Sequence, residues 1–458
     1  MTSGSEGAFL MDMYNTQAYR DLEQVLNTFA VKPTQILLGY SGGVDSELMA
    51  ACLSCFAKKH PQHQYALVHV NHGLSPHAQD WVQHCFERSA LYQIPLHLDD
   101  VSLEEHPRLS LEAQARDARY KALKSRLQGR ALLLTAHHAD DQLESLLLAL
   151  KRGSGGLGMT GIQSSVQLNH QQWVVRPFLS LSRSEIEEQA RVMQLIYVED
   201  ESNVDERFDR NFLRHSIVPE LKSRWPSLAK TASRSAALMA EDQHMLGLLL
   251  DQQLDKMLNS HKALIISIWR QQTESFKAAL LRRFLARQGA QMPSKAQLEQ
   301  MIHQLCHAAE DANLSVQWHT WQLKRYRDAA YVVGVESLQP RCHTPTFSLL
   351  SQTVFVCSTQ CIQVSRIPNE EGIGIKSEIL HNPLHIRFNM PGSFKCHPYG
   401  RAQRRTVKKL MQAYGIPPWQ RQNVPFLFAG DELISALGLW VETAFAVQND
   451  GWHIDCTL

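Results

Sequence analysis
The chain has 458 residues, 44% apolar and 20% charged, with a net charge of +1. That length exceeds one typical core, so two or three domains are expected, with the composition of an ordinary globular protein. Its nine cysteines form no disulfide-like framework, which points to reduced thiols and a cytoplasmic setting. Residues 1–13 are polar and acidic, unlike a signal peptide or anchor, and no uncharged apolar run reaches membrane-spanning length. No membrane partner is therefore expected. The near-zero net charge looks neutral towards nucleic acid, but it averages over a marked asymmetry near the C-terminus.

Residues 14–29 read as an opening helix. The apolar run 36–38 then reads as a buried strand, broken by Ser41, Gly42 and Gly43. From Val44 the pattern turns helical, with Leu48, Met49 and Cys52 at helical spacing. Strand, glycine turn and helix together present free backbone N–H groups to an anion. Gly42 and Gly43 let the backbone approach a phosphate, and Ser41 and Ser46 can add hydroxyls. The loop lacks the Gly-x-x-x-x-Gly-Lys of a Walker motif. Asp45 is an extra carboxylate, tolerable beside a triphosphate if Mg²⁺ stands between them.

Further strands are expected at 65–70, 96–101, 131–135 and 173–178, and helices at 76–90, 111–127, 140–150 and 182–195. The last of these opens with a Ser182-x-x-Glu185 capping box. This alternation implies a parallel sheet with ligands at the C-terminal ends of its strands. Three candidate sites fall at such ends: 41–46, 69–73 and 135–144. A single shared pocket is the simplest arrangement.

His69 and His72 flank Asn71; a strand-end hydrogen bond accounts for them as well as a ligand would. Glu112, Arg116, Arg119 and Tyr120 share one helix face. They read either as a solvated ion-paired face or, beside a nucleotide loop, as guanidiniums for phosphate. His137, His138, Asp140, Asp141 and Glu144 follow the buried run 132–134. Asp141 and Glu144, three apart, can meet one cation, either Mg²⁺ or a substrate ammonium. Acidic residues in a first helical turn also suit the helix dipole, but that leaves an exposed histidine pair unexplained. No third ligand stands at zinc spacing. Lys151 and Arg152 open a glycine loop; Asn203 and Asp205 occupy another, before Arg210, Asn211 and Arg214 on a helix.

After Pro219 the alternation stops and helices are expected at 228–258, 275–288 and 295–307. Arg282, Arg283 and the stretch 324–327 make basic spots there, and Trp318 and Trp321 alternate as in a strand. A compact β-rich unit begins near Pro383. Residues 381–429 contain no Asp or Glu, yet include Arg387, Lys395, Arg401, Arg404, Arg405, Lys408, Lys409 and Arg421. Charge of one sign is an electrostatic footprint for phosphates. The expected fold is α/β: an N-terminal parallel-sheet domain carrying the phosphate loop (1–222), a mostly helical middle domain (223–338) and a small basic α+β C-terminal domain (339–458).

The string Ser41-Gly-Gly-Val-Asp-Ser46 resembles the PP-loop of ATP pyrophosphatases. The ordered set as a whole resembles tRNA(Ile)-lysidine synthetases, over nearly the whole chain. It comprises residues 68–74, Glu112-x-x-Ala-Arg116-x-x-Arg119-Tyr120, His137-x-x-Asp140-Asp141-Gln-x-Glu144, 152–155, Arg176-Pro, 202–214 and 400–421. Glu201 stands where proline is usual in that family, and Ser145 where threonine is usual. Neither removes a group the chemistry needs. The resemblance implies a ligase that uses ATP and Mg²⁺ to join lysine to C2 of the wobble cytidine in isoleucine tRNA with a CAU anticodon. It implies that the cradle is Ser41, Gly42, Gly43, Val44, Asp45 and Ser46, with Asp45 on the metal side. Asp45, Arg116, Asp141 and Glu144 are then the catalytic set. Arg119, Asp141, Glu144, Arg210, Arg214, Arg401, Arg404 and Arg405 are the substrate-binding set. Self-association into a homodimer is left open. The nearest rival is another PP-loop tRNA-modifying enzyme, such as a cytidine thiolase. Cys52-x-x-Cys55 is the one CxxC and reads as half-buried core.

Overall fold
The computed structural model describes residues 11–71, 78–101, 111–198, 207–307, 314–349, 354–357, 362–369, 372–449 and 451–457. It divides into two compact units, Met1–Gly247 and Leu248–Leu458.

The first unit is built on a six-stranded sheet. Its strands are β1 (Gln35–Gly39), β2 (Gln64–Asn71), β3 (Leu96–Asp100), β4 (Ala131–Leu134), β5 (Ser165–Asn169) and β6 (Gln172–Val175), in the order β3-β2-β1-β4-β6-β5. All neighbours are parallel except the β5–β6 hairpin. Helices α1 (Gln17–Phe29), α2 (Val44–Lys59), α3 (Ala78–Tyr92), α4 (Leu111–Ser125), α5 (Ala139–Lys151) and α6 (Arg183–Val192) belong to this unit. The central strands are apolar throughout because both of their faces are covered. Ile36, Leu38, Leu132 and Leu134 enter one core with α1, α2 and α6, while Leu37, Ala131 and Leu133 enter another with Leu123 and Leu127.

The order reverses beside β1: the chain runs outward to β3 and returns to place β4 on the other flank. The crevice at such a switch point is where open α/β sheets bind ligands. The loops after β1 and β4 are therefore neighbours by topology.

Two sequence expectations change in detail. The strand expected over 173–178 ends at Val175, because Pro177 has no N–H to donate and starts a 3₁₀ turn, Pro177–Ser180. The edge strand β5 was not anticipated. It is mostly exposed and polar, so it carries no hydrophobic periodicity.

After α6 come α7 (Asp209–Phe212), a π-helical turn over Leu213–Ile217 and α8 (Val218–Arg224). In the second unit the expected helices form as Glu274–Arg287 and Lys295–His307, and a four-stranded antiparallel sheet stands with them. Trp318 is a core residue of that sheet, donating from Nε1 to Gln291 O at 2.6 Å. Among the described residues, the C-terminal part contains five-, four- and two-stranded antiparallel sheets and the helix Val407–Ala413. No helix among the described residues is long and apolar enough to cross a membrane.

Candidate active site at the sheet switch point
The loop after β1 closes on its own hydroxyls. Ser46 Oγ accepts from Ser41 N at 3.3 Å and Gly42 N at 3.2 Å, and lies 3.1 Å from Ser41 Oγ. Gly42 has φ +85°, and a Cβ there would stand 2.9 Å from Val198 Cγ2, so only glycine fits. Gly43 is the N-cap of α2, with no side chain capping it. Val44 is buried and anchors the first turn in the core.

That first turn carries Asp45. Arg183 Nη1 donates to Asp45 Oδ2 at 2.7 Å, and His138 Nε2 lies 3.7 Å from Asp45 Oδ1. Burial raises the Asp45 carboxyl above its ordinary value, offset in part by His138 and Arg183. Oδ1 is buried and makes no hydrogen bond. No trio of His, Cys, Asp or Glu among the described residues could cage a metal. One unbonded carboxylate oxygen beside a phosphate cradle nonetheless fits Mg²⁺, which takes its other ligands from phosphates and water.

The loop after β4 supplies the other half. His138 is the N-cap of α5, and Asp141 Oδ2 accepts from its backbone N at 3.1 Å. Asp141 and Glu144 then point to one guanidinium. Arg214 Nε donates to Glu144 Oε1 at 2.8 Å; Nη2 donates to Glu144 Oε2 at 3.0 Å and to Asp141 Oδ1 at 3.0 Å. Arg210 Nε lies 3.3 Å from Glu144 Oε2. The two carboxyls are pushed apart. Burial opposes ionisation of Asp141, but His138, His137 and Arg214 outweigh it and hold that group well below the usual carboxylate range. Burial wins at Glu144, which is 1% exposed, and raises it despite Arg214. Two carboxyls with separated acidities can take different roles.

The loops after β1 and β4 thus meet, two of the three strand ends expected to share one pocket; of the third, 69–73, residues 72 and 73 lie outside the described residues. The histidine pair is not exposed as expected. His138 is buried, and His137 is half-buried with its pKa pushed down to about 3 by burial first. His69, on β2, is buried, its Nδ1 3.0 Å from Tyr40 O, the strand-end bond that competed with a ligand role. Arg116 is half-buried over the Tyr120 ring at 5.4 Å and contributes to the field at His137; Arg119 is exposed and acts on His69. His72, Asn203, Asp205 and the Glu112 side chain lie outside the described residues.

Several residues of the site carried no signal in the reading of the sequence. Arg183 appeared there only as the residue after a helix cap. Lys222 Nζ donates to Asp140 Oδ1 at 2.5 Å, and Arg183 N donates to Asp140 Oδ2 at 2.8 Å, so Asp140 ties three segments together. Beneath the loop, fully buried Glu47 accepts from Tyr40 Oη, Tyr92 Oη and Arg88 Nε, the last at 2.6 Å. A carboxylate directly before the apolar run 48–53 was the available clue.

In the second unit Arg404, Arg405, Lys408 and Lys409 are exposed and, among the described residues, carry no ion pair. Arg401 is half-buried, 5.9 Å over the Tyr414 ring. Arg283, by contrast, is paired with Asp251. Cys52 and Cys55 are fully buried, with both thiols pushed up by burial, Cys55 to about 11.

Comparison with known proteins agrees with this division of features. A PP-loop domain pattern matches residues 14–221, a TilS substrate binding domain matches 264–331, and a TilS substrate C-terminal domain matches 384–456. The tRNA(Ile)-lysidine synthase of Shewanella woodyi is 40% identical over 422 residues, covering 90% of each chain. That of Shewanella oneidensis is 40% identical over 433 residues, 91% of this chain and 93% of its own. The Yersinia pestis protein of the same name is 36% identical over 438 residues, 92% and 93% of the two chains. With relatives this similar across nearly its full length, the chain belongs to the tRNA(Ile)-lysidine synthase family.

Proposed function
We propose that the chain is a ligase that spends ATP to join lysine to C2 of the wobble cytidine in isoleucine tRNA with a CAU anticodon. The observation that carries this reading is the meeting of Asp45, on the phosphate-cradling loop, with the Asp141–Glu144 pair at one switch point. Residues 1–222 would do the chemistry, with 223–338 and 339–458 contacting tRNA.

Cytosine O2 is a poor leaving group. Its attack on the α-phosphate of ATP forms an O-adenylate and releases pyrophosphate. Lysine's amine then attacks C2, forming C–N, breaking C–O and expelling AMP. The first step needs donors on the phosphates as charge develops. Ser41, Gly42, Gly43 and Ser46 would line that cradle, and Arg116, which acts on His137 in the loop after β4, would add a guanidinium. Mg²⁺ held by Asp45 would neutralise phosphate charge. The second step needs a carboxylate that stays ionised to hold the ammonium, and a second that accepts a proton. Asp141 suits the first role and Glu144, with its raised carboxyl, the second. Arg210 and Arg214 then lie beside the bound substrates.

The thiolase alternative is not favoured: Cys52 and Cys55 are core thiols, and a buried thiol raised this far is a poor sulfur carrier. The decisive assay incubates the chain with labelled lysine, ATP, Mg²⁺ and an isoleucine tRNA transcript. Label in the tRNA, with equimolar pyrophosphate and AMP, is expected; label-free tRNA with intact ATP would overturn the reading.

A further inference from the structure
The carboxylates read above as lysine's partners already hold a cation of the chain's own. Arg214 satisfies both oxygens of Glu144 and one of Asp141, and the second Asp141 oxygen caps α5. An incoming ammonium must either displace this guanidinium or lie against it, and like charges at that range repel.

Three observations make displacement the better route. The segment that carries Arg214 is held by polar contacts, not by core packing: no residue of Asp209–Phe212 or Leu213–Ile217 is buried, and the core is not reached until Val218. Segments with few buried apolar contacts move at low free-energy cost. The turn itself is π-helical, a wide turn common at functional sites. Finally, Arg214 lies within electrostatic reach of Asp45 and Arg183, next to the phosphate cradle. A triphosphate there offers pairs of charged oxygens that a guanidinium fork can grip with two parallel N–H donors.

We propose that Arg214 is an exchangeable counter-ion: it occupies Asp141 and Glu144 until a nucleotide triphosphate on the loop after β1 takes it over, so that lysine binds tightly only after nucleotide. The inference rests on the reading of those carboxylates as lysine's site. It makes nucleotide and amino-acid binding positively linked, and linkage is reciprocal.

Equilibrium dialysis of labelled lysine tests it on the full chain with saturating isoleucine tRNA transcript. Binding is measured with and without Mg²⁺ and an α,β-methylene ATP analogue that cannot be cleaved at the α-phosphate. The lysine Kd should fall about 5- to 150-fold with the analogue, and the analogue's Kd by the same factor with lysine. In Arg214→Gln the ratio should fall towards one, because lysine now binds tightly without nucleotide. Arg214→Lys, which keeps the charge but not the fork, should show intermediate linkage and serves if the first variant does not fold. Equal lysine affinity with and without analogue in the unaltered chain overturns the inference, as does full linkage in either variant. Glu144→Gln separates the two levels. Undiminished lysine binding in that variant sinks the carboxylate reading and the inference with it. Weakened binding in that variant, with no linkage in the unaltered chain, sinks the inference alone.

Discussion

Arg183 Nη1 lies 2.7 Å from Asp45 Oδ2, across 138 positions of sequence. The bond joins the first turn after the phosphate loop to the first turn of α6. Both belong to the rim of one crevice, because the loop after β4 and the turn Pro177–Ser180 bring α6 back over β1. Arg183 keeps 39% of its side chain exposed, so it remains open to a ligand while it orients Asp45.

Asp45→Ala should abolish pyrophosphate release and leave tRNA affinity nearly unchanged, since a carboxylate on the metal side acts on the chemistry, not on docking. Arg183→Ala should leave activity but move its acidic limb. Burial raises the Asp45 carboxyl and Arg183 lowers it, so losing the guanidinium raises it further. The acid limb of kcat/KM should then shift to higher pH. A pH–rate profile of pyrophosphate release checks this, and an unmoved limb would mean that Asp45 is not the titrating group.

Glu47 should prove structural. It is fully buried and is the shared acceptor of Tyr40, Tyr92 and Arg88. Glu47→Gln leaves Arg88, itself 12% exposed, without its charge partner. Breaking one side of a buried pair costs about 3–5 kcal/mol. Tyr92→Phe removes two hydrogen bonds, the one its hydroxyl gives Glu47 and the one it accepts from Arg88 Nη2, and should cost about 1–3 kcal/mol. Urea unfolding measures both; equal, small losses would show that the charge is not what matters.

His137 should make the chain acid-sensitive. Burial pushes its folded pKa down to about 3, below the unfolded value of roughly 6.5. Between those values the unfolded chain binds a proton that the folded chain refuses, so stability falls as pH drops through that window. His137→Gln should flatten the decline between pH 7 and pH 5. Unfolding midpoints at those two values, compared between the variant and the unaltered chain, decide it.

Arg404 and Arg405 should set affinity for tRNA without touching nucleotide. They are exposed and, with Lys408 and Lys409, have no acidic partner among the described residues. Each phosphate contact contributes about 0.7–0.9 to the slope of log K against log salt. Replacing both by Ala should weaken binding and flatten that slope, with ATP affinity unchanged. Titrations at several salt concentrations test this; an unaltered slope would place these cations in solvent.

What the sequence alone determined about this protein is local. The glycine turn after a buried run places a phosphate cradle, because strand, turn and helix follow from residues a few positions apart. The Ser182–Glu185 capping box forms as spaced, with Glu185 Oε2 accepting from Ser182 N at 2.9 Å. Asp141 and Glu144 share a face because a helix returns every three to four residues. The acid-free stretch 381–429 is legible by inspection, and Lys395, Arg404, Arg405, Lys408 and Lys409 in it are exposed, while Arg387 pairs with Asp431 just beyond it. The ion pairs that complete the site were decided only by the tertiary structure: Arg183 with Asp45, Lys222 with Asp140, and Arg214 with both Asp141 and Glu144. Each joins segments between 70 and 138 residues apart, and strand order, not spacing, brings them together. Glu47 shows the same limit from inside the core. Its helical position predicts burial, but its partners Tyr40, Arg88 and Tyr92 come from β1's end and from α3, and no periodicity within α2 encodes them.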